Sequence, residues 1–145
     1  MGLQRSILRV VPRPLGSDEC SPAALIGPNE GAIASFLGVV RDHHHGKGVT
    51  SLRYECYEAM AVHQLEKIAA AVGAEAGDAE LVVAVWHGFG EMVPGQVSLA
   101  VHCASPHRVA AFDACRAVVE AIKADLPIWK EERYDDGTAR WLKGS

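Results

Sequence analysis

Two cationic side chains stand where a predicted helix begins, in the motif Ser105-Pro106-His107-Arg108. A helix N-terminus carries partial positive charge and unpaired backbone amides, so an imidazole and a guanidinium are unfavourable there unless an anion binds to all of them. The motif therefore indicates an anion-binding site. The alternative is that both side chains point to solvent or pair with a nearby carboxylate, and the motif by itself does not separate the two interpretations.

Two lysines, Lys123 and Lys130, flank the point where the same helix must end at Pro127. Because proline bends or reverses the chain, the two amines can approach one pocket although they are seven positions apart in the sequence. An ammonium group neutralises anionic intermediates, and a lysine removed from water can act in proton transfer or covalent chemistry. The pair is a candidate for either role, and the spacing does not choose between them.

A cationic loop, residues 41–48, contains three consecutive histidines, His43 to His45. Adjacent side chains in an extended segment point in opposite directions, so this run does not by itself build a tetrahedral metal site. No acidic or thiol ligand is spaced to complete one, so anion binding or plain solvation is favoured over metal. The scattered histidines are expected to be hydrogen-bonded structural residues; they are His63, His87 and His102.

The spacing along the predicted helix also indicates how many subunits build the site. Arg108 and Lys123 are fifteen positions apart, which at about 1.5 Å per residue separates them by roughly 22 Å. One small substrate cannot touch both within a single chain. If both are functional, the His107-Arg108 end of one helix must meet the lysine end from a second copy, and we expect a two-fold dimer.

Five segments have the alternation or the short apolar run that is typical of β-strands. The second and third are predicted to pair through the histidine-rich loop, and the fourth and fifth through a glycine-rich loop. Asp136-Gly137 predicts a further hairpin between Tyr134 and Trp141. The five strands are 6–11, 31–40, 49–57, 81–86 and 97–103.

Apolar periodicity and capping signals predict two long helices and a brief one. The first long helix covers 59–72, and the second begins at the Ser105-Pro106 cap and ends before Pro127. Ser21-Pro22 repeats the cap-and-proline signal and predicts a brief helix through Leu25. The order of elements predicts an α+β sandwich, with helices packed on a mixed or mostly antiparallel sheet.

Length and composition limit the possible functions. The chain has 145 residues, 49% hydrophobic and 22% charged, which is typical of one globular domain covering 1–145. A net charge of −4 provides no broad basic face for nucleic acid, and no apolar run approaches the roughly 20 residues of a membrane-spanning helix. Four widely spaced cysteines suit reduced thiols. We therefore expect a cytoplasmic protein that binds neither nucleic acid nor membranes.

Several short motifs follow one another in a fixed order from Gly31 to Trp141. They are Phe36-Leu37-Gly38-Val39-Val40-Arg41-Asp42-His43, Leu52-Arg53-Tyr54-Glu55-Cys56-Tyr57, His87-Gly88-Phe89-Gly90-Glu91, Val93-Pro94-Gly95, Ser105-Pro106-His107-Arg108, Ile122-Lys123 and Pro127-Ile128-Trp129-Lys130-Glu131. Each one is a weak signal, whereas the ordered set is specific. Together they resemble the catalytic (large) subunit family of molybdopterin synthase.

The resemblance implies a sulfurtransferase of molybdenum-cofactor biosynthesis that converts cyclic pyranopterin monophosphate (precursor Z) to molybdopterin. In the family, sulfur arrives as a thiocarboxylate on the C-terminal Gly-Gly of a small ubiquitin-like carrier subunit, whose tail enters the catalytic subunit's pocket. Family members form a central homodimer with one carrier at each end, which makes a heterotetramer. The implied fold is an α/β hammerhead with a small β subdomain, and the resemblance implies no metal or other cofactor.

The resemblance also implies roles for individual residues. Arg41, His107 and Arg108 would bind the anionic phosphate of the pterin, which suits guanidinium groups and helix amides. Lys123 and Lys130 would line the sulfur-transfer centre, where ammonium groups stabilise charged oxygen and sulfur intermediates. The further contacts with the substrate would be Val39, Val40, Glu131 and Glu132, with Phe36 in the pocket wall.

Two other functions stand beside this one. The chain could be a non-catalytic dimeric module that binds a small phosphorylated ligand through the cations at the helix end. It could also sequester metal through residues 43–45. Formation of molybdopterin from precursor Z and a thiocarboxylated carrier separates the enzyme from the module. Absence of stoichiometric zinc, nickel or copper after gentle purification would exclude the metal-binding alternative.

Overall fold

A computed structural model describes residues 2–77 and 80–144 of the chain. Within those ranges the chain forms nine strands, three α-helices and one 3-10 turn at Ala23–Leu25. The elements are β1 (Gly2–Val11), α1 (Ser17–Cys20), β2 (Ala32–Val39), β3 (His43–His44), β4 (Lys47–Cys56), α2 (Glu58–Glu75), β5 (Glu80–Gly88), β6 (Gly90–Met92), β7 (Val97–Ser105), α3 (Arg108–Asp125), β8 (Ile128–Tyr134) and β9 (Ala139–Lys143).

The first sheet has the strand order β1-β5-β7-β2. β1 runs parallel to β5, while β5 with β7 and β7 with β2 are antiparallel, so the sheet is mixed as the sequence predicts. The central strand β5 is buried on both faces. The helices α2 and α3 cover one face. On the other face, Leu25 packs on Val82, Ala84 and Ala104. β2 lies at the edge of this sheet.

The second sheet has the order β3-β4-β8-β9, and β6 pairs with the other side of β4. This five-stranded sheet is the β subdomain of the expected α+β fold. The hairpin predicted at Asp136-Gly137 is confirmed, since it joins β8 to β9 with Gly137 at a φ of 84°. That positive φ favours glycine at the turn. No helix in the described part of the chain is long and apolar enough to cross a membrane.

The predicted pairing of the second and third strands is wrong. β2 pairs with β7, whereas β4 pairs with β6 and β8. The histidine-rich loop does not join two neighbouring strands, because it forms a hairpin of its own in which His43 faces Gly48 and His44 faces Lys47. The chain uses this hairpin to pass from the first sheet to the second.

The predicted helix caps also differ from the structure. Ser105 is the last residue of β7, opposite Ala32, and His107 is the N-cap residue of α3, with no side-chain cap bond. Ser105 cannot cap the helix because its backbone continues the β-ladder. The helix predicted after Ser21-Pro22 is only the 3-10 turn, and the short helix α1 before it has no counterpart in the prediction.

Candidate active site

Three of the predicted cations lie where the chain crosses between the two sheets. Lys123 is in the last turn of α3, and the turn at Pro127 leads directly into β8, where Lys130 is the third residue. Arg41 follows the end of β2 and precedes the hairpin that leads to β4. The two crossings place one arginine and two lysines in the same electrostatic environment.

The pKa values of both lysines reflect this environment. Partial removal from water lowers the pKa of Lys123, and the positive charges of Lys130 and Arg41 lower it further. Burial and Arg41 also lower the pKa of Lys130, against the opposing effect of Glu132. Since each cation disfavours the others, a bound anion would be strongly stabilised here. The arrangement can bind a phosphate and can supply a lysine that takes or gives a proton.

Glu132 follows Lys130 on the same face of β8 and is buried. Its Oε1 accepts hydrogen bonds from Nδ1 of His44 at 2.5 Å and from the hydroxyl of Tyr134 at 3.0 Å. Burial acts to raise the pKa of Glu132, but these two bonds, with the charges of His44 and Lys130, hold it below its ordinary value. Glu132 is therefore an ionised carboxylate within the site.

Glu131 points to the opposite face of β8, because successive strand residues alternate. Its carboxylate lies 3.2 Å from the guanidinium of Arg133, which in turn lies 3.1 Å from Glu91. Glu131 thus belongs to an exposed ion-pair network, and its charge is directed away from that of its neighbour Lys130.

The remaining contacts expected from the resemblance lie along β2 and just after it. Val39 is exposed and Val40 is buried, and both line a surface cavity of about 460 Å³ together with Arg41. Phe36 lies in the wall of a different cavity, of about 350 Å³, beside Phe112 of α3. The first cavity includes Arg41 of the cationic cluster, which consists of Arg41, Lys123 and Lys130, whereas the second lies between β2 and α3.

His107 and Arg108 are at the other end of α3 from Lys123. His107 lines a cavity of about 570 Å³ between α2 and α3, together with residues such as Val72 and Asp113. Eighteen helical residues separate the two ends of α3, a length of about 27 Å. The structure therefore does not bring His107 and Arg108 to the lysines within one chain.

Sequence reasoning missed an aromatic cleft of about 610 Å³ on the outer face of the second sheet. Tyr57 and Trp129 meet edge to face in it, with ring centroids 5.9 Å apart, and Trp141 is half exposed. The spacing of aromatic residues at 57, 129 and 141 carries no local signal, since only the pairing of β4, β8 and β9 brings them together. The cleft borders the strand that carries Lys130.

Two of the scattered histidines are structural, as predicted. His102 is buried and donates from Nε2 to the carbonyl of Glu19 at 2.8 Å, while its Nδ1 accepts from the hydroxyl of Ser35 at 2.7 Å. His87 is also buried, and its Nδ1 donates to the carbonyl of Gly88 at 2.7 Å. His63 is instead exposed on α2. The described residues contain no cluster of three or more potential metal ligands.

Burial lowers the pKa of His87 from an ordinary value of 6.5 to about 4. The unfolded chain therefore binds one more proton between these values, and stability falls as the pH falls from about 6.5 to about 4. We expect wild type to lose about 3 kcal/mol more than His87→Gln between pH 7 and pH 4. Urea unfolding at both values measures the difference. Equal losses in the two proteins would show that His87 binds its proton in the folded state.

The structure defines a two-sheet α+β protein with a cluster of arginine and lysine at the crossing of its sheets, which suits an anionic ligand. The family model described as MoaE protein matches residues 11–125. Molybdopterin synthase catalytic subunit 1 of Mycobacterium tuberculosis is 42% identical over 135 residues, which are 92% of this chain and 88% of that protein. This chain therefore belongs to the MoaE family.

Solved structures agree with this assignment. A molybdopterin synthase structure from Staphylococcus aureus has a TM-score of 0.85 and 26% identity, covering 94% of this chain and 96% of that one. A chain from the complex of subunits 1 and 2 of molybdopterin-converting factor of Helicobacter pylori shares the fold, with a TM-score of 0.76, 23% identity and coverage of 94% and 90%. The predicted fold class, family and enzymatic role in molybdenum-cofactor biosynthesis are confirmed.

Proposed function

We propose that this chain moves sulfur from the C-terminal thiocarboxylate of a small ubiquitin-like carrier to precursor Z, using Lys123 and Lys130 at the reacting atoms. The observation that carries this proposal is the convergence of both lysines with Arg41. Partial burial lowers the pKa of each lysine, and the positive charge of Arg41 lowers it further. A phosphate-bearing pterin matches the positive charge of the cluster. The convergence gives less support to a module that only binds phosphate, because two lysines with lowered pKa values suit proton transfer.

The residue types suit each part of the reaction. Arg41 binds the phosphate, and Val39 with Val40 lines the approach to it. The thiocarboxylate sulfur attacks a carbon of the pterin side chain and displaces an oxygen substituent, which forms a thioester between the carrier and the pterin. Water then cleaves the acyl–sulfur bond through an oxyanion and leaves a carboxylate on the carrier and a thiolate on the pterin. Ammonium groups stabilise all three charges, and a lysine with a lowered pKa can also move the proton of the attacking water.

The protein works as a homodimer in this proposal, and β2 is the edge at which two copies meet. Residue 32 of β2 lies opposite Ser105, just before His107, while residue 39 lies just before Arg41. If two β2 edges run antiparallel about a two-fold axis, the start of one strand faces the end of the other. The partner copy's helix start then approaches Arg41. Exposed apolar side chains lie on this edge, Leu37 and Val39, and on the neighbouring helix α3, Val109 and Phe112.

The aromatic cleft is the surface we propose for the carrier. It lies on the second sheet, away from β2, so both partners can bind at once with the carriers at the two ends of the dimer. Exposed aromatic side chains are typical of interface centres, and Tyr57, Met60 and Trp141 are all at least half exposed here. The Helicobacter pylori relative, solved as a complex of two subunits, supports a partner of this kind.

We also propose that residues 1–145 form one domain that works in the cytoplasm. One hydrophobic core joins residues of both sheets, such as Leu52 and Ile128 with Leu99, which supports a single domain. All four cysteines are free thiols, which suits a reducing compartment. Fractionation of cells that produce the chain at natural levels tests the location.

Reconstitution from purified components tests the proposed reaction. The chain is mixed with precursor Z and a carrier that ends in a Gly-Gly thiocarboxylate, and molybdopterin is measured after oxidation to a fluorescent derivative. We expect product only when the thiocarboxylate is present, with the carboxylate form of the carrier as the control. Binding of precursor Z without any product would favour the binding module instead.

The Trp141→Ala variant tests the carrier surface. Removal of a half-exposed aromatic side chain from the centre of an interface is expected to raise the Kd for the carrier at least about tenfold. Binding of precursor Z should be unchanged, because the cleft lies on the other face of the sheet. Ile26→Ala is the matched control, since Ile26 is equally apolar and exposed on the first sheet's far side. Equal carrier binding by both variants would exclude the cleft.

A further inference from the structure

A side-chain hydrogen bond holds the hairpin that follows Arg41 against β8. It joins His44 to Glu132, which are 88 positions apart in the sequence. His44 donates from Nδ1 to Oε1 of Glu132, and the two side chains are 19% and 5% exposed. Tyr134 donates to the same oxygen at 3.0 Å and so fixes its position. A partly buried, charge-assisted bond of this kind is much stronger than a pair on the open surface.

The backbone of the hairpin directs His44 and its neighbours differently. His45 has a φ of 51° and Gly46 a φ of 76°, which turns the chain back on itself. Nδ1 of His43 lies 2.8 Å from Asp42, in a pair whose side chains are more than 70% exposed. His44 lies on the other side and reaches the carboxylate in β8. Successive side chains of the hairpin alternate in direction, so His44 points toward β8 while His43 points to solvent.

Glu132 connects this bond to the cationic cluster. It lies two residues after Lys130 on the same face of β8, and its charge favours the charged form of Lys130. Arg41, three residues before His44, is repelled by both lysines. When no anion is bound, this repulsion acts against the position of Arg41 near the lysines. A bond from the same loop to Glu132 opposes that movement.

We propose that His44 is a positioning residue, which holds the Arg41 loop against β8 through Glu132 so that the phosphate site is formed before the substrate binds. This inference rests on the proposed function for its substrate, precursor Z. A preformed site lowers the cost of ordering the loop on binding. The role belongs to ground-state binding, so it affects KM more than kcat.

Three variants test this role in the full enzyme with its carrier. His44→Ala is expected to raise KM for precursor Z by roughly tenfold, the effect of one charge-assisted hydrogen bond, with kcat changed less than about twofold. His44→Gln, whose amide can also donate to Glu132, should recover most of the affinity. His63→Ala is the matched control, since His63 is an exposed histidine on α2, and this variant should behave as wild type.

Several results would overturn the inference. A KM for His44→Ala equal to that of His63→Ala would do so, as would a loss confined to kcat or a failure of His44→Gln to recover the affinity. Thermal melting of each variant shows whether the fold is retained. Calorimetric binding of precursor Z, without carrier, separates this inference from the proposed reaction. If wild type binds but makes no product, the reaction is wrong, and weaker binding by His44→Ala alone still decides the role of His44.

Discussion

Replacement of Lys123 by alanine is expected to abolish molybdopterin formation, with a loss of at least about a hundredfold in kcat, which is typical when a group that stabilises transition-state charge is removed. Lys123 lies in the last turn of α3 and keeps part of its side chain in solvent. Truncation there removes little of the core, so the fold should be retained. Single-turnover assays with saturating carrier and precursor Z measure the loss directly.

The matched control for this variant is Lys67→Ala. Lys67 is also an exposed lysine on a long helix, but it lies on α2, which ends far from the crossing of the two sheets. It should retain wild-type rates and a wild-type melting temperature. If Lys123→Ala has the same rate as Lys67→Ala, Lys123 has no part in the reaction and the cluster only binds substrate.

Local patterns predicted most of the elements but not how they pair. The bounds of α2 and α3 follow from apolar stripes and from Pro127, and the β8–β9 hairpin follows from Asp136-Gly137. The partner of β2, however, is β7, whose paired residues lie 58 to 73 positions further along the chain. No local signal distinguishes β7 from β4 as its partner, because both strands are apolar on alternate residues.

The site could be predicted only in part for the same reason. The positive charges of Arg41, Lys123 and Lys130 indicated that the site binds an anion. The resemblance implied that all three residues belong to the site of one enzyme family. Their common environment depends on two separate crossings between the sheets. The hydrogen bond from His44 to Glu132 joins the hairpin to β8 across 88 positions of the chain. The sequence of three adjacent histidines therefore could not indicate which of them points toward β8.

A mixture of two inactive variants is expected to regain activity, because each site takes its groups from two chains. One variant is Lys123→Ala, and the other carries His107→Ala with Arg108→Ala, which removes charge-assisted contacts worth about 1.5–3 kcal/mol each. In a mixed dimer, one site loses both sets of groups and the other keeps both. Random mixing makes about half of the dimers mixed, so about a quarter of the sites should be intact.

Dimers that carry a different affinity tag on each variant permit the mixed species to be purified. At a precursor Z concentration below KM, we expect about half the wild-type rate from it and background rates from each parent. A site built within one chain has no intact copy in the mixed dimer and gives background in all three. Since the two ends of α3 are about 27 Å apart, recovered activity can only come from a helix start supplied by the second copy.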